Sequence, residues 1–306
     1  GFYGVNAIFD PPVDISDGGS YNFTVVFVFS NLISANSENT FNLDFPMYPS
    51  LTEKSSVCNV TVVLPIEASY EGEPSHSFNQ TTLGPYRVLK HTKAPLEAFV
   101  KDFAWLRFKH SDFPLIENEE VRREIILDEV GQSHLSDSYR IVNRGIKKLS
   151  DISLGLPRGA YQVSAWDTFG SLPASVEEKN VTTYTNVTVT LRGPLKMGNR
   201  GEFTVKYLLP RGTYVFQEDW RSFNLSFAML ERFHWTVKKL TVSLTLPEGA
   251  EFVQRETFVQ GVNPTLVQKE TFQEKAVFTI FNATSLHNLQ FSVAYTYLIF
   301  WASFRP

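Results

Sequence analysis

Leu240–Ala250, LTVSLTLPEGA, decides how the rest of this chain is read. Leu240, Val242, Leu244 and Leu246 alternate with Thr241, Ser243 and Thr245, the period of two that turns one face of a strand inward and the other to water. Pro247 has no amide hydrogen to give to a ladder and ends the strand, and Gly249 permits the turn that follows. The same pattern stands far upstream as Cys58–Pro65, CNVTVVLP. A second pair of stretches lies at nearly the same offset: Ser20–Phe29, SYNFTVVFVF, and Gly201–Leu209, GEFTVKYLL, each open a strand on Phe-Thr-Val behind a turn. Shared spacing points to a tandem repeat of one β-rich domain; the plainer alternative is that β-proteins commonly contain such strands.

If the repeat holds, the first copy has only Gly1–Tyr21 ahead of its Phe-Thr-Val strand, so the chain is expected to start inside its first domain and to be part of a longer precursor. The expected division is residues 1–115, an N-terminally truncated β-domain, and residues 116–306, a second one, with SDFPLIE at Ser111–Glu117 as the boundary.

Composition agrees with an all-β class of two tandem sandwich-like domains. The 306 residues are 43% apolar and 20% charged, enough to bury sizeable cores, and 26 Phe and 12 Tyr favour strands. A net charge of −4 argues against nucleic acid as a partner. Lys90–Lys109 interleaves basic residues with Phe99, Phe103 and Trp105, but the polar face of a sheet explains it better. The single Cys58 forms no internal disulfide and alternates with Val60, Val62 and Leu64, as a buried small hydrophobe would.

Along the chain, Phe2–Phe9 reads as a short strand, Asp10–Gly19 as a turn region, and Phe23, Val25, Phe27 and Phe29 as the core face of the next strand. Asn31–Ser56 reads as a long polar loop with a short strand, Glu67–Gly84 as another loop and Tyr86–Leu89 as an edge strand. Phe99–Phe108 closes the first domain. Asn118–Val130 reads equally as an amphipathic helix or a strand. Tyr139–Asn143 and Ile146–Leu149 resemble a hairpin about Gly145, and Ile152–Tyr161 holds a Leu-Pro-Arg-Gly stop. The remaining strands are Val181–Leu191, Phe203–Leu209, Phe223–Met229, Leu240–Leu246, Val277–Phe281 and Phe291–Tyr297. Tyr295–Phe304 is too short and is read as the last strand, or as a segment nearing a membrane interface.

One chemical motif repeats. N-x-S/T occurs at Asn22, Asn59, Asn79, Asn180, Asn186, Asn224 and Asn282, more often than chance would place it. Asn22, Asn59 and Asn224 fall opposite the apolar phase of their strands, and Asn180 and Asn186 share one parity, so a bulky glycan would stand on the solvent face. These seven are the candidate N-glycosylation sites. Signals for catalysis are weak: no nucleophile-elbow, P-loop or paired-cysteine spacing occurs, and His76, His91, His110, His134, His234 and His287 are scattered and read as lone surface histidines. Acidic pairs such as Glu119-Glu120, Asp128-Glu129 and Glu177-Glu178 point to opposite faces of a strand and read as solvated charges. No catalytic, metal-binding or cofactor-binding residue is assigned, and no cofactor is expected.

Taken in order, LGPYR (Leu83–Arg87), Arg122–Val130, DSYRIVNRG (Asp137–Gly145), GEFTVKYLLP (Gly201–Pro210), LTVSLTLPEGAE (Leu240–Glu251) and QFSVAYTY (Gln290–Tyr297) resemble the lumenal region of the ribophorin I family, the first (alpha) subunit of the eukaryotic oligosaccharyltransferase. The chain departs from the family pattern at Ser133-His134-Leu135, Arg192-Gly193-Pro194 and Gly198-Asn199-Arg200, as a divergent member, or a relative with a changed partner, would. The resemblance implies a non-enzymatic lumenal scaffold of the endoplasmic reticulum. It implies as partners the catalytic and accessory subunits of that complex, with nascent polypeptide and the translocon nearby, and membrane attachment through a segment outside this chain. The rival reading is a secreted or cell-surface β-sandwich glycoprotein that binds protein, or carbohydrate through an exposed Trp105, Trp166, Trp220, Trp235 or Trp301; core positions are the default for most of these tryptophans.

Overall fold

A computed structural model describes residues 8, 10–12, 20–29, 31–71, 75–177, 184–231, 236–253, 265–269, 272–284, 287 and 290–298. Gly1–Ser30 and Asn31–Pro306 are two separate units. In the first, Ser20–Phe29 is not a strand. Phe23, Val25, Phe27 and Phe29 are all exposed, correcting their reading as a core face. Alternation makes a strand only where a neighbour takes its backbone hydrogen bonds, and no ladder among the described residues includes this stretch. Phe2–Phe9 and Asp10–Gly19 lie largely outside the described residues.

The second unit is built of strands, with no helix among the described residues. Its first part carries β1 (Ile33–Ser37), β2 (Thr40–Pro46), β3 (Cys58–Val63), β4 (Ser69–Glu71), β5 (Asn79–Leu83), β6 (Tyr86–Lys93) and β7 (Phe103–Lys109). Then follow β8 (Ile116–Leu127), β9 (Ser133–Asn143), β10 (Leu149–Pro157), β11 (Tyr161–Asp167), β12 (Gly170–Leu172), β13 (Ala174–Glu177) and β14 (Tyr184–Leu195). The last are β15 (Arg200–Leu209), β16 (Val215–Gln217), β17 (Ser222–Ala228), β18 (Val237–Thr245), β19 (Glu251–Phe252), β20 (Leu266–Lys269), β21 (Glu274–Ala283) and β22 (Gln290–Thr296).

In the first part, a sheet ordered β1-β2-β7-β4 faces a sheet ordered β3-β6-β5. Phe41, Leu106 and Phe108 of the one meet Leu89 and Val62 of the other, with Leu64 and Ala68 between them. The first part of Asn31–Ser56 is therefore a hairpin, β1 with β2, and only residues 47–56 form the loop: Phe41, Leu43 and Phe45 carry the period of two within a polar sequence. Asn79–Leu83 is exposed along its whole length, so no apolar alternation marks it; backbone pairing to β6 makes it a strand. With β3 on its other side, β6 is central and not an edge.

The second part is organised by one long sheet of eight strands, ordered β12-β11-β15-β9-β8-β18-β21-β20. All its pairs are antiparallel except β8 with β18. Leu240–Leu246 takes up the expected face, with Leu240, Val242, Leu244 and Leu246 buried and the turn at Gly249 adopting φ +77°. Two smaller sheets, β10-β14-β13 and β16-β17-β22-β19, share the core of that inner face through Ile152, Val187, Val189, Leu225, Val293 and Tyr295. Each fully buried Val or Leu contributes about 1.5–3 kcal/mol by leaving water, so this layer dominates the stability of the fold.

Asn118–Val130 resolves as strand β8. A register shift between Asn118 and Glu120 moves the buried phase from Ile116 and Asn118 to Val121, Arg123, Ile125 and Leu127. Tyr139–Leu149 is not a hairpin. The buried Asn143 side chain accepts from the Gly145 amide and donates to the Lys147 and Leu195 carbonyls, each at 2.8–2.9 Å, turning the chain into a different sheet where β10 pairs with β14. The members of the expected repeat also take different places: Phe203 is buried in β15 whereas Phe23 is in no strand, and β3 has one neighbour where β18 has two.

Candidate functional site

The outer face of the long sheet carries the most organised polar surface. Register places Glu120 of β8 opposite Arg140 of β9, and Arg140 opposite Glu202 of β15. Their charges alternate in sign across the strands, so each pair is a favourable cross-strand contact. Arg140 Nε donates to Glu202 at 2.5 Å, Arg122 donates to Glu120 at 3.0 Å, and Lys239 Nζ reaches the other Glu120 oxygen at 3.2 Å. The Arg122 hydrogen bond, reinforced by Lys239, holds the Glu120 carboxyl below the usual carboxylate range against the opposing effect of burial. Glu117 is lowered in the same way by the Arg144 hydrogen bond, against burial, with help from Lys238.

The neighbouring row completes a cleft of about 350 Å³. Arg122, Ser138, Thr204 and Trp166 follow one another across β8, β9, β15 and β11. The Ser138 and Thr204 hydroxyls are 2.9 Å apart. At the β11–β12 turn, Arg192 grips Asp167 with two parallel hydrogen bonds of 2.9 and 3.0 Å, the planar fork geometry that fixes orientation as well as charge. That hydrogen bond lowers the Asp167 carboxyl, and the Phe169 amide donates to it as well.

Directly behind the cleft lies an ion pair sealed from water. Arg123 donates to both Asp137 oxygens at 2.8 and 2.7 Å and to the Ala228 carbonyl at 3.1 Å, and the Tyr207 hydroxyl donates to Asp137 at 2.9 Å. Burial opposes the Arg123 charge, but Asp137 and its hydrogen bonds more than offset this and keep the guanidinium protonated. Burial pushes the Tyr207 hydroxyl well up, so it remains a donor.

A second polar cluster joins β6 and β7. His76 Nε2 is 3.0 Å from Asp102, its Nδ1 is 2.9 Å from Ser75 Oγ, and the Trp105 amide donates to that same Oγ. His91 Nε2 meets the Tyr48 hydroxyl at 2.9 Å, and its Nδ1 lies 2.7 Å from the Ser77 carbonyl. These are not the lone histidines read from the sequence; His110 and His134 also have partners, the Ile66 carbonyl and Asp128. His234 lies outside the described residues. Although Ser75, His76 and Asp102 form a hydroxyl–imidazole–carboxylate chain, nucleophilic catalysis needs amides converging on a developing oxyanion. The Trp105 amide donates to the hydroxyl oxygen itself, which ties the segment that carries Ser75 to β7. Among the described residues no group of three or more His, Cys, Asp or Glu is placed to hold a metal ion.

The sequon residues are dispersed. Asn22, Asn59, Asn79 and Asn282 are exposed, Asn186 and Asn224 are half-buried, and Asn180 lies outside the described residues. Thr92 donates to Asn59 and Ser292 to Asn224, at 2.9 and 2.7 Å. The tryptophans overturn the expectation of core positions: Trp105, Trp166 and Trp220 are 42%, 45% and 60% exposed. Trp235 and Trp301 are outside the described residues. Sequence reading missed the cleft because its side chains converge from four strands through register alone; the one available signal was the tryptophan in β11.

Fold and surface together define an all-β protein with a charge-laddered sheet face. The ribophorin I family matches residues 146–305, and the chain belongs to that family. No curated protein matches the chain. Among solved structures, an M1 zinc metallopeptidase from Deinococcus radiodurans is similar at 14% identity and a TM-score of 0.36, over 59% of this chain and 42% of that one. A putative protease from Parabacteroides distasonis is similar at 12% identity and a TM-score of 0.36, over 60% of this chain and 40% of its own. The chain thus spans less than half the length of each.

Proposed function

We propose that this chain is a lumenal scaffold of the oligosaccharyltransferase complex in the endoplasmic reticulum, holding catalytic and accessory subunits in place while nascent polypeptide is glycosylated. The observation that carries the reading is the family match, which spans the strands from β10 to β22: both covering sheets and six of the eight strands of the long sheet, all but β8 and β9. Nascent chains and the translocon are the expected neighbours, and membrane attachment is assigned to a segment outside this sequence. We further assign glycan acceptor roles to Asn22, Asn59, Asn79, Asn180, Asn186, Asn224 and Asn282, and a domain division between residues 115 and 116.

Isolation of the full-length protein in mild detergent tests the reading. Co-purification of the catalytic glycosyltransferase and its companion membrane subunits is the expected result. Recovery of the protein alone, soluble and glycosylated, would overturn it in favour of a secreted binding glycoprotein, and glycan transfer to an acceptor peptide by the isolated chain would overturn the non-catalytic assignment.

A further inference from the structure

We propose that the cleft between Trp166 and Arg122 is a binding site for a neutral oligosaccharide. The inference goes beyond the scaffold reading and stands without it. Four observations carry it, beginning with the aromatic platform. Trp166 presents a half-exposed ring at one end of the cleft, and the C–H face of a pyranose packs on the electron-rich face of an indole.

Hydrogen-bonding groups then occupy the floor and walls. Ser138 and Thr204 offer hydroxyls that both donate and accept. Arg140 is held by Glu202 at 2.5 Å and by Glu120 at 3.5 Å, and Arg122 by Glu120, so donors and acceptors stand side by side in fixed positions. Vicinal sugar hydroxyls ask for such neighbouring donors and acceptors.

Charge is balanced as well. Glu120, Glu202 and Asp167 are matched by Arg122, Arg140 and Arg192, each acid paired to one or more of these bases. An anionic or cationic ligand would find its complement already engaged, whereas a neutral, hydroxyl-rich one displaces only water.

Backbone is out of reach, finally. β15 lies between β11 and β9, and β9 between β15 and β8, so the strands lining the cleft have spent their ladder hydrogen bonds on each other. An extended polypeptide binds a sheet most readily by adding to a free edge, which this cleft does not offer. The row from Trp166 to Arg122 crosses four adjacent strands; at about 4.8 Å per strand it spans about 14 Å, room for roughly two or three sugar rings.

The test is titration of the whole purified chain by calorimetry with three neutral series, α-linked mannose, β-linked glucose and β-linked N-acetylglucosamine oligomers, beside an unstructured peptide of equal mass. Saturable binding by one or more of the sugar series is expected, weakened about tenfold by Trp166→Ala, the order of one lost aromatic contact. Because Trp166 is half-exposed, its variant should keep the parent melting curve. Glu202→Gln, which unpairs one Arg140 nitrogen while keeping shape, should change the preference among the series rather than abolish binding. Failure of all three series to bind would overturn the proposal, as would sugar binding indifferent to Trp166→Ala. Peptide binding that Trp166→Ala abolishes, in place of sugar binding, would replace the assigned occupant with polypeptide.

Discussion

Arg122 and Arg123 are adjacent in the sequence and live on opposite faces of one strand. Arg122 lies mostly in water and shares Glu120 with Arg140 and Lys239, while Arg123 is sealed against Asp137 with no exposed side-chain surface. The chemistry is the same, a guanidinium on a carboxylate, yet its consequences differ. On the outer face, water competes for the exposed guanidinium and ammonium groups and salt screens them, so each pair there contributes little to stability. On the inner face, each partner has lost its hydration, and the pair is tolerable only because both members and the Tyr207 hydroxyl are present together. Solvent, more than residue type, decides how much the loss of one partner costs in each pair.

Removing one buried partner is the severest way to break that contrast. Asp137→Ala leaves Arg123 charged and buried without its hydrogen-bonded carboxylate, and should cost about 3–5 kcal/mol of stability, read as a large drop in the denaturant midpoint. Replacing both residues together with apolar residues of similar volume should recover much of the loss; a double variant as unstable as the single one would show that the pair stabilises rather than merely compensates.

Tyr207→Phe sharpens the same side more gently. It deletes the 2.9 Å hydrogen bond to Asp137 without opening a cavity, and should cost about 1.5–3 kcal/mol, the range for hydrogen bonds to charged groups. No change in the midpoint would mean that Arg123 and Tyr139 satisfy Asp137 without it.

The outer face should yield the smallest effect, visible in acid. Glu117 and Glu120 titrate below the ordinary value of 4.5 because Arg144 and Arg122 stabilise their charged forms. Their contribution is therefore complete above that value and is lost as pH falls through the lower folded values. Glu120→Gln should flatten the acid limb of the stability curve and leave neutral stability less changed than Tyr207→Phe does; an acid limb identical to the parent's would refute the assignment.

The same two faces explain what could be read from residues alone. Leu240–Leu246 was legible because burial, alternation and a terminating proline coincide there. Asn118–Val130 was ambiguous because the register shift at Asn118 and Glu120 changes the apolar phase and Arg123 occupies an inward position. Sequence treats an arginine as solvent-facing; only Asp137, supplied by the next strand, makes this one internal. Ser20–Phe29 departs in the other direction, since no strand among the described residues pairs with it to complete its alternation. Asn79–Leu83 is a strand without any burial signal. Of the cleft, Trp166 was a visible candidate, but the meeting of Glu120, Arg140 and Glu202 is a property of pairing register, which no single segment carries.

One consequence of the parallel β8–β18 pair concerns the order in which the chain emerges during synthesis. Val121 pairs with Leu240, so β8 finds its antiparallel partner β9 at once but must wait for most of the chain before its other side is covered. The sheet can grow early through β9, β15 and β11, while β18, β21 and β20 arrive afterwards; the last seam to close runs through the middle of the layer, not along a margin. Until then β8 is a bare edge able to template other strands. A chain interrupted before Val237 would keep that edge permanently, which makes the interval between β9 and β18 the period of greatest exposure to misassembly.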